Sequence, residues 1–278
     1  MCSDTAHRLA LVYSRAMNFP LIDIGANLGH ESFDHDLPEV IQRAVAAGIV
    51  HHLVTGTTLA ASQKALNLCR QFANLSATAG IHPHEAAHAD ADTLKGIRAL
   101  LNNPLVRAVG ETGLDFNRDY SPRPDQERVF TEHLLMAVEI GKPVFLHQRD
   151  AHSRFYPILK DYRDQLCGGV VHCFTDEKTA LYDYLDMDMY IGITGWICDE
   201  RRGQHLLELV KDIPHDRLLL ETDAPYLLPR SLRPKPKTRR NEPAWLTEVL
   251  STVARYTERS PADIAEETTA NARRLFGI

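Results

Sequence analysis

The sequence lacks several common functional signatures. Its five cysteines, Cys2, Cys69, Cys167, Cys173 and Cys198, form no C-x-x-C pair, and their odd count and irregular spacing argue against a disulfide framework. A reducing, cytoplasmic compartment is therefore expected. No apolar run approaches the roughly 18 residues of a spanning helix, so no membrane partner is expected. There is no G-x-G-x-x-G after an early strand and no Walker A motif, which weighs against a nucleotide-cofactor fold. Nor is there an excess of positive charge. With 31 Lys and Arg against 37 Asp and Glu, the 278-residue chain carries a net charge of −6. A tail-like basic binder is thereby excluded, and any phosphate-binding surface has to be local. Residues 1–20 lack the apolar core and cleavage site of a signal peptide. They are expected to be an extension: a disordered arm, a short extra helix, or an artefact of start-site choice, with Met17 standing just before the first strand.

The chain is rich in short, nearly continuous apolar runs separated by helix-period segments. Eight such runs occur, at 21–26, 52–56, 76–81, 106–110, 143–146, 169–173, 189–193 and 218–220. Continuous apolar runs suit parallel strands buried on both faces. Between them, 125–141 places Phe130, Leu134, Ala137 and Val138 on one helical face. Ser260-Pro261 reads as an N-cap followed by proline at the first helical position. Eight strand–helix units in about 255 residues predict an α/β fold, a single (β/α)₈ barrel over 21–278. A doubly wound open sheet is the alternative.

Fourteen histidines are present, and several stand at strand ends. The ends carry Asp23, Gly25 and Asn27; His82 and His84; Glu111 and Asp115; His147 and Arg149; His172; and Glu221 and Asp223. Each has a bland alternative on its own: a hydrogen-bonded histidine, a capping aspartate, a loop acid. Jointly they would converge on one axial site, where so many buried polar groups are costly unless a cation satisfies them. Glu111, His147 and His172 are the expected metal ligands, with open positions for water and substrate. Asp223 is placed to take a proton from the attacking water, and His82 to hold a substrate oxygen or the leaving group. His84 reads as a solvated or capping residue.

A second signal is the acid-free run at 225–241, with Arg230, Arg233, Lys235, Lys237, Arg239 and Arg240. Its prolines keep it extended. A charge run is usually a solvated loop, but this one follows the eighth strand and so lies on the face of Asp223. There it suits phosphate binding, and with Mg²⁺ the site suits phosphodiester hydrolysis. Tyr226 and Trp196 read equally as base-stacking or core residues.

These residues resemble the TatD family of metal-dependent nucleases. IDIGANL, TAGIHPHE, VGETGLDFNRDYS, PVFLHQRDAH, GVVHCFT, YIGITGWICDERRG, LLLETDAPYLLPR and RRNEPA carry the resemblance, in order, over 20–278. They are most similar to its bacterial branch. The resemblance implies an amidohydrolase-like TIM-type barrel with Mg²⁺-dependent 3′-to-5′ exonuclease activity on single-stranded DNA and RNA, Mn²⁺ or Zn²⁺ being other divalent options. It further implies a cytoplasmic monomer serving DNA repair. By motif it assigns Glu111, His147 and His172 as metal ligands, and Asp223 and His82 as further active-site residues. One departure stands out. Many members begin D-x-H-x-H, whereas this chain has Gly25 and Asn27 at the two histidine positions. Their lack of imidazole weighs against a tightly held second metal on the first strand. Gln148, where relatives often carry cysteine, is given no function. Two rival activities remain open on the same residues. One is another hydrolase, such as an aminoacyl-tRNA deacylase or an amidohydrolase. The other is a non-catalytic binding protein, against which the intact Glu111, His147, His172 and Asp223 speak.

Overall fold

A computed structural model describes residues 19–278. The expectations for residues 1–18 lie outside the described part. Eight strands run β1 (Leu21–Ala26), β2 (Ile49–Val54), β3 (Leu75–Ala79), β4 (Val106–Asp115), β5 (Val144–Arg149), β6 (Gly169–Val171), β7 (Tyr190–Ile193) and β8 (Leu218–Leu220). Every neighbouring pair is parallel and the order is sequential, β1 to β8. The ends of the sheet meet: Ala26 bridges Ala224, Asn27 N–H donates to Ala224 O at 2.7 Å, and Asp223 N–H donates to Gly25 O at 2.8 Å. The barrel expected from the strand–helix alternation is the fold observed, and the open-sheet alternative is set aside.

The helices among the described residues are α1 (Leu37–Ala46), α2 (Leu59–Gln71), α3 (Ala91–Leu101), α4 (Arg123–Ile140), α5 (His152–Tyr162), α6 (Lys178–Asp186), α7 (Gln204–Leu209), α8 (Leu246–Thr257) and α9 (Pro261–Phe276). α4 buries Phe130, Leu134 and Ala137 as its periodicity requires. Val138 is only half-buried and packs at the rim of the core. The helix stops at Gly141, whose φ of 71° admits the left-handed cap. At α9 the Ser260 side chain accepts Asp263 N–H at 3.1 Å, with Pro261 in the first turn.

The main core fills the layer between sheet and helices. A smaller cluster of Ile22, Ile24, Leu53, Ala108, Phe145, Val170 and Leu219 fills the barrel interior, with Ala272 and Phe276 of α9 joining it. Phe145 stacks on the His172 ring at 4.6 Å, so the apolar interior forms the floor of the polar site above.

β4 departs from its expected end at Gly110 and continues to Asp115. Thr112, Gly113, Leu114 and Asp115 pair with Leu146, His147, Gln148 and Arg149 of β5. Two glycines permit this. Gly110 and Gly113 have φ of +142° and +145°, and a Cβ on either would stand 2.1 Å from Phe145 O or 1.9 Å from His147 O. Glu111 therefore lies within β4, at the register shift between the paired Val109 and Thr112, with its N–H donating to Gly56 O at 2.8 Å, and not on a loop.

Candidate metal centre

One carboxylate oxygen is the focus of the site. Glu111 Oε1 lies 2.7 Å from His172 Nε2, 2.9 Å from His147 Nδ1 and 3.3 Å from His82 Nε2. These groups come from β4, β5 and the segments just after β3 and β6. Ligand atoms of His82, Glu111 and His147 all fall within 4.8 Å of one another. Three imidazole nitrogens and a carboxylate, nearly withdrawn from water, form the donor set a borderline divalent cation takes. The residues thus fit a metal. His82, expected on the substrate, falls within the same cluster. Its Nδ1 also accepts His84 N–H at 3.1 Å, so it caps the turn that follows β3.

The charge pattern follows from burial and proximity. Burial alone pushes the Glu111 carboxyl up, but His172, His82 and His147 outweigh it and hold it well below the usual range. Burial likewise pushes His172 down, yet Glu111 and Glu221 raise it well above an ordinary imidazole. His147 is raised against burial by Asp115 and Glu111. His82 differs: burial lowers it to about 4 despite Glu111. In the absence of a cation, protons on His147 and His172 compensate the buried carboxylate.

Asp223 faces this cluster from the segment after β8. Burial raises its carboxyl to about 7, Glu111 and Glu221 adding to the shift against the opposing His172. Asn27 Nδ2, just past β1, donates to its Oδ1 at 2.9 Å, which fixes the carboxylate. A carboxyl poised near neutrality is suited to proton transfer.

Several residues at the expected strand ends take parts that the sequence alone did not assign. Asp115 Oδ2 accepts from His84 at 2.8 Å and lies 3.3 Å from His147 Nε2, while Asp115 Oδ1 takes N–H bonds from Asn117 and Arg118. His84 is therefore a partner of Asp115, not a solvated residue, because the turn after β3 folds it back over the pocket. Glu221, fully buried, lies 3.3 Å from His172 Nδ1 and accepts Cys173 N–H. It is the kind of outer carboxylate that fixes a liganding imidazole. It also accounts for Gly25, where a Cβ would stand 2.2 Å from Glu221 Oε2. Asp23 does not face the cluster. It ties the barrel shut by accepting Thr222 N–H at 2.9 Å and Thr222 Oγ1–H at 2.6 Å. His133 of α4 had no sequence signal beyond its helix. It donates from Nδ1 to Val129 O at 2.8 Å and accepts Ile81 N–H at Nε2, 3.1 Å, beside His82.

The cluster lies in a cavity of about 690 Å³ at the carboxyl ends of the strands, where barrels carry their chemistry. Arg118, Arg149 and Arg202 line it, with Tyr120, Trp196 and Tyr226. Tyr120 and Tyr226 are exposed, and Tyr120 sits edge-on to His84 at 4.7 Å. Trp196 is engaged by guanidinium groups, Arg202 at 4.1 Å and Arg149 at 5.6 Å from its ring centroid. Gln148 is bonded away from the metal cluster, to Asp176 at 2.6 Å and Tyr184 at 2.9 Å.

The side chains of the basic run do not all face one surface. Arg240 is turned inward, donating to Asp36 at 2.7 Å, Glu242 at 2.8 Å and Ser32 O at 2.6 Å. Arg230 pairs with Glu200 at 2.7 Å, and Arg233 donates to the carbonyls of Arg230 and Leu232. Lys235, Lys237 and Arg239 are exposed.

No helix of the described residues is long and apolar enough to cross a membrane. Comparison with known proteins agrees with the geometry. The family described as TatD related DNase matches residues 22–277. A protein of Cronobacter sakazakii named 3′-5′ ssDNA/RNA exonuclease TatD is 50% identical over 256 residues, 92% of this chain and 97% of the relative. One of the same name from Erwinia amylovora is 50% identical over 259 residues, 93% of this chain and 100% of that one. The crystal structure of a TatD homologue from Escherichia coli K12 superposes with a TM-score of 0.86 at 26% identity, covering 94% of this chain and all of that one. A TatD-family hydrolase from Entamoeba histolytica gives 0.85 at 26% identity, covering 94% and 99%. With the family match spanning nearly all of the barrel, the chain belongs to the TatD-related DNase family.

Proposed function

We propose that the protein is a metal-dependent hydrolase that removes nucleotides from the 3′ ends of single-stranded DNA and RNA. The observation that carries this is the convergence of three imidazole nitrogens on Glu111 Oε1 inside an arginine-lined cavity. The names of the half-identical relatives support the substrate and the direction. Glu111, His147 and His172 are the proposed metal ligands, with His82 as a further nitrogen donor; Mg²⁺ is the ion proposed from the family resemblance, Mn²⁺ and Zn²⁺ being the alternatives that the imidazole donors favour. When bound there, a divalent cation supplies Lewis acidity toward a phosphate oxygen and acidifies water.

The other roles belong to side chains. Asp223, fixed through one oxygen by Asn27, uses its other oxygen to accept the proton of the attacking water. Arg118, Arg149 and Arg202 receive the phosphate, since guanidinium forks match its geometry. Tyr120 and Tyr226, exposed at the rim, offer faces to the terminal bases. Trp196 holds Arg202 and Arg149 in place. Lys235 and Lys237 attract the strand by charge. We place the protein in a reducing cytoplasm, a reading that the unpaired thiols among the described residues support, and read it as a monomer on the family resemblance alone. The test is digestion of 5′-labelled single-stranded DNA with Mg²⁺ and with EDTA, for the wild type and Glu111→Gln. A ladder shortening from the 3′ end only for wild type with Mg²⁺ is expected. Equal digestion by Glu111→Gln refutes the site.

A further inference from the structure

A second groove of about 480 Å³ opens beside the catalytic cavity, between the segments after β7 and β8. The two are adjacent, for Trp196, Arg202 and Leu227 line both. The groove adds Arg201, Arg230 and Arg239 to Arg202, against Asp199 and Glu200. Four guanidinium groups facing two carboxylates make it a positive channel on a chain whose net charge is −6. The carboxylates do not cancel it; they aim it. Asp199 is 3% exposed and draws Arg201 at 2.9 Å, Arg202 at 3.0 Å and Arg230 at 3.5 Å around itself. Its carboxyl is pulled below the usual range, first by Arg201. Arg201 and Arg202 keep more than half of their side-chain surface open. Arginines fixed at one edge lose less rotational freedom when they bind an anion at the other.

We infer that this groove, through Arg201, Arg202, Arg230 and Arg239, binds the sugar–phosphate backbone of the nucleotides upstream of the scissile bond. It thereby makes the enzyme prefer long single strands to short ones. The inference rests on the exonuclease reading, which puts the 3′ end in the catalytic cavity and leaves the rest of the strand to pass Trp196 into the groove. Arg201 has no part in the metal cluster, and no signal in the sequence distinguished it from an ordinary surface arginine. The chemistry recognised is a run of phosphodiesters, without base specificity, because the groove's charged groups are guanidinium forks that match phosphate oxygens and its apolar residues, Trp196, Leu227 and Leu228, read no base edge.

The decisive comparison uses the full chain and its Arg201→Gln/Arg239→Gln variant on a single-stranded 20-mer and on a dinucleotide too short to reach the groove. The long-to-short ratio of kcat/KM should fall about tenfold in the variant, through KM. The plot of log affinity against log salt should become shallower by about 1.4, at ~0.7 per lost single-strand phosphate contact. An unchanged ratio, or equal losses on both substrates, overturns the groove assignment. A wild type that degrades neither substrate in Mg²⁺ overturns the exonuclease reading instead. Fluorescence anisotropy of a labelled 20-mer in EDTA then judges the groove alone. Weaker binding by the variant upholds it, and equal binding refutes it.

Discussion

At the scale of the residue, Glu111 is the group on which the centre depends. Three imidazoles stand within 3.3 Å of one of its oxygens, so its removal takes away both a ligand and the counter-charge that holds them. Glu111→Ala should abolish metal-dependent hydrolysis while the far-ultraviolet spectrum is retained. Isothermal titration should show weakened divalent-ion binding. Asp223→Asn keeps the shape and the Asn27 contact but removes the proton acceptor. A fall in kcat of about 10²–10⁴ is expected, as for other positioned acid–base groups, measured at saturating metal. The residues of this centre were legible as strand-end histidines and acids. Their division of labour was not. Whether an acid at a strand end turns inward or ties a neighbouring strand depends on which loop approaches it. Asp23 thus seals the barrel through Thr222, while Asp115, equally plain in the sequence, braces His84 and His147.

At the scale of the element, the site depends on helices and loops that bring no donor to it. α4 contributes His133, whose ring joins the helix backbone at Val129 to the end of β3 at Ile81. His133→Ala leaves Ile81 N–H buried without an acceptor and should cost about 1–3 kcal/mol in stability. It should also lower activity by displacing His82, and His133→Gln should restore part of both. Urea unfolding and steady-state kinetics check the pair. The basic run was visible as a charge block, but sequence could not show that its members diverge. Arg240 returns to Asp36 on the segment before α1, and its side chain is 16% exposed. Arg240→Ala should therefore lower the unfolding midpoint, at a cost of about 1–3 kcal/mol. It should leave the salt dependence of strand binding unaltered, which a nitrocellulose-filter titration over 50–300 mM salt would measure. A changed salt slope would return Arg240 to the phosphate surface. The same divergence explains why the groove arginines were hidden. Arg201 and Arg202 come from the β7 segment and meet Arg230 only because consecutive barrel loops are neighbours in space.

At the scale of the whole molecule, the eight parallel strands were legible because burial on both faces makes their runs continuously apolar. The ends were less so, since β4 gains five residues from pairing that glycines at 110 and 113 allow. The histidine content also has a molecular consequence. His52 is fully buried on β2, and neither ring nitrogen has a partner among the described residues. Burial lowers it to about 3, and lowers His51, His82 and His133 to about 4. An imidazole depressed in the fold stabilises above its unfolded value of about 6.5, and the stability is lost as pH falls below it. Asp23 and Asp223, raised to about 7 chiefly by burial, act oppositely, because the folded state keeps protons that the unfolded chain releases. His147 and His172, raised in the fold, are protonated in both states below pH 6 and drop out. Four imidazoles against two carboxyls leave the unfolded chain binding about two more protons between roughly pH 6 and 4.5. In EDTA, the free energy of unfolding should thus fall by about 2–3 kcal/mol per pH unit across that window. His52→Leu should raise stability at pH 7 by about 1–3 kcal/mol, by removing an unpaired buried polar ring. The same change should reduce the slope by about half, because one of the two net protons is gone. Denaturant titrations at pH 6.0, 5.5 and 5.0 measure both quantities. An unaltered slope in His52→Leu would mean that the acid sensitivity arises from other imidazoles than the one in the outer core.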